Sequence, residues 1–93
     1  MTIQEIKNTV SPILLKHEIK RAGLFGSVVR NEATPQSDVD ILVEFSKQIS
    51  LLDFVGIKLE LEEQLGSKVD LVEFKTIKPS LKEFIMIDYV SIV

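Results

Sequence analysis

Leu24-Phe25-Gly26-Ser27, ten residues, then Asp38-Val39-Asp40-Ile41-Leu42-Val43-Glu44-Phe45: two apolar runs flank a small-residue turn, a polar loop and a pair of carboxylates. From Asp38 the chain alternates. Val39, Ile41, Val43 and Phe45 fall on one face, and Asp38, Asp40, Leu42 and Glu44 on the other, which predicts a strand. Residues i and i+2 of a strand point the same way, roughly 6.5–7 Å apart, so Asp38 and Asp40 can converge on hard cations. Magnesium takes oxygen ligands and favours one or two carboxylates together with substrate phosphates. In a two-metal site one ion activates the attacking hydroxyl while the other steadies the leaving group. Upstream, Gly26 permits a tight turn and close backbone approach to a phosphate. Ser27, at a helix start, offers a hydroxyl and exposed N–H groups to an anion. Arg30 follows closely enough to pair with a phosphate. The plainer alternatives are a solvated strand face for Asp38 and Asp40, a simple N-cap for Ser27 and an exposed side chain for Arg30.

Working outward, Ile19–Phe25 reads as a short strand, Ser27–Arg30 as a short helix, and residues 31–37 as a loop. Thr2 and Glu5 have the spacing of a capping box, and Ile3, Ile6, Val10, Ile13 and Leu14 follow at helical intervals. Pro12 is expected to kink or split that helix. Beyond Phe45, Ser50 with Asp53 resembles another helix start, and the apolar series from Leu51 to Leu65 runs on to a stop at Gly66. Glu60, Glu62 and Glu63 read as its wet side. A third strand, Val69–Phe74, carries Asp70, a third carboxylate that strand pairing can bring beside Asp38 and Asp40. There it could bind a metal or accept a proton; its neighbours Lys68 and Glu73 also allow it to be one charge among several. Pro79 is placed to open a last helix, with Leu81, Phe84, Ile85 and Tyr89 facing inward. The expectation is an α/β fold, a small sheet of about three strands with helices packed on it, in a single domain spanning 1–93.

Composition narrows the chemistry. Among 93 residues there is no cysteine and one histidine, His17, which excludes disulfides, thiolate catalysis and His-rich metal sites. Net charge is −3, so no overall basic field attracts nucleic acid, and no direct nucleic-acid binding is expected. No apolar run approaches the roughly 20 residues that span a bilayer. The first residues lack a signal-peptide layout, and a cytoplasmic location is expected. The turn is neither a Walker loop nor a Gly-x-Gly-x-x-Gly loop.

The Gly26-Ser27…Asp38-Val39-Asp40 arrangement, with Ile41–Phe45 after it, Lys68-Val69-Asp70-Leu71-Val72 downstream and the Lys78–Val90 tail, resembles the minimal nucleotidyltransferases of the DNA polymerase β superfamily. The resemblance implies a Mg²⁺-dependent enzyme using two ions to move a nucleoside monophosphate, AMP from ATP first, to a hydroxyl. It further implies an antitoxin that modifies a tyrosine of a HEPN-type ribonuclease toxin. Gly26, Ser27 and Arg30 would face the triphosphate, and Asp38, Asp40 and Asp70 the metals. Many relatives read Gly-Ser-Arg-x-Arg-Gly; this chain has Val28 and Asn31 where they have Arg and Gly. Two alternatives are a non-catalytic module that neutralises a partner by contact and a transferase acting on a small molecule. Leu51, Leu52, Phe54, Val55, Ile57, Leu59 and Leu61 exceed what one helix face can bury. A homo- or hetero-oligomeric interface is therefore expected.

Overall fold

The computed structural model describes Met1–Val93. Helix α1 (Ile3–Lys16) starts at the expected capping box, Glu5 N–H donating to Thr2 Oγ1 and Thr2 N–H to Glu5 Oε1, both at 3.1 Å. It buries Ile6, Val10, Ile13 and Leu14. Contrary to expectation, Pro12 does not split it. Pro12 and Asn8, whose carbonyl loses its helical donor, both lie on the exposed side where water can replace the bond. Strand β1 (Ile19–Phe25) pairs antiparallel with β2 (Val39–Phe45). Helix α2 (Leu51–Leu65) begins where Asp53 N–H donates to Ser50 Oγ and ends at Gly66, whose φ of +68° lets it close the last turn. It crosses to β3 (Val69–Glu73), which pairs parallel to β2. Phe74–Thr76 forms a 3-10 turn, followed by α3 (Pro79–Ile87) and β4 (Val90–Ser91).

The sheet order is β3-β2-β1-β4, a mixed four-stranded sheet rather than three strands. The extra strand is two residues long and pairs antiparallel with Gly23 and Leu24. Too short for an alternation pattern, it is held by long-range bonds such as Ile92 N–H to Ala22 O at 2.9 Å.

Register divides the sheet into two unlike faces. Ala22 and Leu24 stand opposite Val43 and Ile41, and Val39 and Ile41 opposite Val69 and Leu71. These side chains meet the buried residues of α1 together with Ile57 and Leu61 of α2, forming the core. Val39 to Val43 thus obey the expected alternation, with Val39, Ile41 and Val43 on the core side. The reverse face is partly apolar too: Leu42 is fully buried, between Gly23 on β1 and Val72 on β3. The ring of Tyr89 lies on Gly23 and makes a T-shaped contact with Phe74, whose face carries the Arg21 guanidinium at 3.8 Å. The inward assignments of Leu81 and Phe84 fail, because these side chains are 50% and 78% exposed. Helix α3 anchors itself through the residues just beyond its C-terminus, leaving its own apolar side open. On α2, Leu51, Leu52, Val55 and Leu59 are exposed, as the excess of apolar residues implied.

Glu60 and Glu62 do more than wet the surface of α2. Glu60 pairs with Lys16 and His17 at the end of α1. Glu62 accepts the Val69 N–H at 2.9 Å, fixing where β3 starts.

A side chain at Gly23 would collide with the Tyr89 ring. Gly23→Ala should destabilise by about 1–3 kcal/mol, more than the roughly 0.4–1 kcal/mol an alanine recovers by stiffening the unfolded chain. Tyr89 is the only tyrosine and there is no tryptophan, so urea unfolding followed by tyrosine fluorescence reads both stability and ring displacement. Unchanged stability and unchanged emission would contradict this packing.

Candidate active site

Strand pairing places Phe25, Asp40 and Asp70 in one row across β1, β2 and β3, with Asp40 directly opposite both neighbours. Adjacent strands lie about 4.8 Å apart, and paired residues point to the same face. Asp40 and Asp70 therefore stand side by side on the face away from the core. Asp38, two residues earlier, shares that face from just outside β2. The row depends on where β3 begins. Glu62 holds the Val69 N–H, and the Val39 N–H donates to Lys68 O at 2.9 Å, so both strands enter the sheet in step.

The turn after β1 folds back against the same carboxylates. Gly26 has φ of +78°, and a Cβ there would run into Asp40 Oδ2. Glycine is thus required twice, by conformation and by contact. Ser27 to Asn31 form hydrogen-bonded turns, not the expected short helix. Arg30 N–H reaches Gly26 O at 3.1 Å and Glu32 N–H reaches Ser27 O at 2.8 Å. Asn31 sits at φ of +59°, in the left-handed region that asparagine tolerates best after glycine. Its backbone thereby does what a glycine would do there. Val28 and Val29 pack against the core, so the residues that follow Ser27 anchor the turn. Arg30 leaves the turn toward two carboxylates, Nε to Glu32 Oε2 at 3.1 Å and Nη1 to Asp88 Oδ2 at 2.8 Å.

These contacts make Asp40 the electrostatic centre. Its pKa is pushed up to about 6, first by burial and then by the charges of Asp70 and Asp38, with Arg30 pulling the other way. Asp38 and Asp70 are exposed. The carboxylates are aligned rather than closed up: no three His, Asp or Glu side chains are gathered tightly enough to hold a metal ion as they stand. The donor chemistry suits a hard divalent cation all the same. All three are oxygen ligands, and the repulsion felt by Asp40 is what such a cation would relieve.

The clefts of the surface do not coincide with this row. One of about 430 Å³ lies at the other end of β2, lined by Arg21, Glu44, Lys47, Glu73, Phe74 and Lys82. Three of its four cations, Arg21, Lys47 and Lys75, are paired with Glu44, Glu18 and Glu73, and it contains none of the three aspartates. Another of about 550 Å³ runs beside the turn, past Val28, Asn31, Thr34 and Ser37. Sequence reasoning missed Glu62 and Asp88. Glu62 acts on a residue seven positions later, across the α2–β3 turn, and Asp88 acts on a residue fifty-eight positions earlier. Neither separation leaves a local pattern.

The model of the nucleotidyltransferase domain matches residues 3–92. A Methanocaldococcus jannaschii protein named "Putative protein adenylyltransferase" is 52% identical over 92 residues, covering 99% of both chains. Protein adenylyltransferase MntA of Thermococcus cleftensis is 36% identical over 100 residues, covering 99% of this chain and 97% of its own. Among solved structures, one described as a "putative minimal nucleotidyltransferase" superposes with a TM-score of 0.83 at 34% identity, covering 97% and 95% of the two chains. The complex of a tri-AMPylated Shewanella oneidensis HEPN toxin with its MNT antitoxin shares the fold, at TM-score 0.78 and 20% identity, over 99% of this chain and 72% of that one.

Asp40 also sets a pH dependence. Its folded pKa of about 6 lies above the ordinary 3.8, so ionising it favours the unfolded chain. The penalty is absent below about pH 3.8, grows between 3.8 and 6, and is complete above that. Asp40→Asn should therefore raise the Tm of the metal-free chain at pH 7.5 by about 4–8 °C, corresponding to roughly 1 kcal/mol after solvent screening. The difference should vanish near pH 3.5. Matched melts of the two proteins in chelator at both pH values check this; equal Tm at pH 7.5 would contradict it.

Proposed function

The chain belongs to the nucleotidyltransferase domain family, and from that premise we propose that it transfers AMP from ATP to a hydroxyl of a HEPN-type toxin, as the antitoxin of a toxin–antitoxin pair. The observation that carries the site assignment is the Phe25–Asp40–Asp70 row with the Gly26 turn folded onto Asp40. The names of its relatives and the toxin complex among its structural neighbours support the acceptor class.

Each residue has a separate task. The backbone at Gly26 and Ser27 and the Ser27 hydroxyl bind the triphosphate, and Arg30 offsets its charge. Asp38, Asp40 and Asp70 would hold two Mg²⁺ ions, which when bound acidify the attacking hydroxyl and stabilise the leaving pyrophosphate. The acceptor oxygen attacks the α-phosphorus, the bond to the pyrophosphate oxygen breaks, and Asp70, the most exposed end of the row, takes the hydroxyl proton. Leu51, Leu52, Val55 and Leu59 of α2 are exposed apolar surface suited to docking the protein acceptor. That same surface favours one second reading, in which contact alone silences the toxin.

Two measurements test the reading. Incubation with labelled ATP, Mg²⁺ and the product of the neighbouring reading frame should label the partner. The Asp38→Asn, Asp40→Asn double variant should label it at least about 100-fold less. Equal labelling by the two proteins would defeat the catalytic assignment, and full suppression of the toxin by the unlabelling variant would favour contact. Independently of turnover, millimolar Mg²⁺ should raise the Tm of the wild type and leave that of the double variant nearly unmoved, because only the wild type can convert binding into stability.

A further inference from the structure

The guanidinium of Arg30 is held from two sides, by Glu32 on the same turn and by Asp88, which ends α3. We infer that Asp88 is a positioning residue, which orders Arg30 for the nucleotide and makes the junction of α3 and β4 part of the phosphate site. The inference rests on the proposed role of Arg30 at the triphosphate.

The guanidinium is a planar fork with five N–H donors in fixed directions. Glu32 takes Nε and Asp88 takes Nη1. The Nη2 edge is left to meet an anion, already oriented by the other two. The Arg30 N–H donates to Gly26 O at 3.1 Å, and Gly26 lies directly against Asp40 Oδ2, so Arg30 leaves a turn that touches the carboxylate row. A free arginine loses rotamer entropy on being fixed; one held at two nitrogens has lost part of it before the nucleotide arrives.

Asp88 is itself well placed to act as a fixed point. The next residue, Tyr89, lies with its ring on Gly23, and the Tyr89 Oη is buried without a hydrogen-bond partner. Val90 then pairs with Leu24. Asp88 is thus tied to β1 through Tyr89 and Val90, while it reaches the turn that leaves the same strand. The Arg30–Asp88 pair is partly exposed, at 44% and 25%, and pairs of that kind add little to stability. Its consequence is geometric, which keeps the test clean.

The test is calorimetric titration of the full chain, in Mg²⁺, with a non-hydrolysable ATP analogue. Asp88→Ala should weaken the Kd by about 5- to 20-fold, the cost of re-ordering one arginine. Asp88→Asn, whose amide oxygen can still accept from Nη1, should recover most of the loss. Combining Asp88→Ala with Arg30→Ala should bind no worse than Arg30→Ala alone, since Asp88 acts only through Arg30. Asp88→Ser, polar but too short to reach Nη1, carries the same comparison if the alanine variant does not fold. Wild-type affinity in Asp88→Ala, tighter binding, or losses that add in the double variant would overturn the inference while leaving the proposed function standing. A wild-type chain that binds no analogue would remove both.

Discussion

The site depends on the register at which β2 meets its two neighbours. A shift of one residue in β2 would send Asp40 to the core side and bring an aliphatic side chain out in its place, and a shift in β3 would do the same to Asp70. The register is protected because the core face is entirely apolar: Ala22, Leu24, Val39, Ile41, Val43, Val69 and Leu71 are all buried. Any slip would bury a carboxylate without a partner, at a cost of several kcal/mol. The hydrophobic core therefore fixes the carboxylates, although it touches none of them. Glu62 adds a local stop by capping the first N–H of β3, so the parallel ladder, which no hairpin turn sets, starts in one place.

This explains what could be read from the chain and what could not. The β2 alternation, the two helix caps at Thr2 and Ser50 and the Gly66 stop depend on neighbours within four residues, and their signals are local. The Gly-Ser turn and the Asp pair could be seen as a set because an antiparallel connection brings the end of β1 to the start of β2 with nothing but a loop between. Asp70 could be placed only by assuming that its strand pairs beside β2, an assumption the parallel ladder meets. The differences lie at Pro12, at the Ser27–Arg30 turn and in the last third of the chain. β4 is too short to have a period, and the burial of α3 was inferred from apolar content that turned out to face outward. Pro79 marks the start of α3 correctly, but no residue within α3 records that Tyr89, not the helix, does the anchoring.

Val28 and Asn31 show how a motif can change its letters and keep its shape. The turn needs positive φ at its last residue as well as at Gly26, and asparagine accepts that conformation at little cost. It also needs an anchor to hold it onto the sheet, and Val28 packs against the core where a longer cation would have to reach past it. What the exchange removes is charge. Arg30 is then the one cation whose field is felt at Asp40, set among Asp38, Asp40, Asp70, Glu32 and Asp88.

That imbalance gives the site its character. A fold optimised for stability alone would not place Asp40 half-buried between two other aspartates, nor glycine where a side chain would displace it. Local choices that oppose stability concentrate where function needs them. Here the strain is electrostatic rather than conformational: the two positive-φ residues of the turn, Gly26 and Asn31, are suited to their angles, while Asp40 is held far from its ordinary pKa. A chain with net charge −3 and a carboxylate row at its centre repels a bare triphosphate. The same repulsion makes any cation that enters the row a strong stabiliser of the folded state. In the proposed reaction that sign would favour a nucleotide carrying its own divalent counter-ions, since the row would attract the cations while Arg30 and the Gly26 turn would meet the phosphates they accompany.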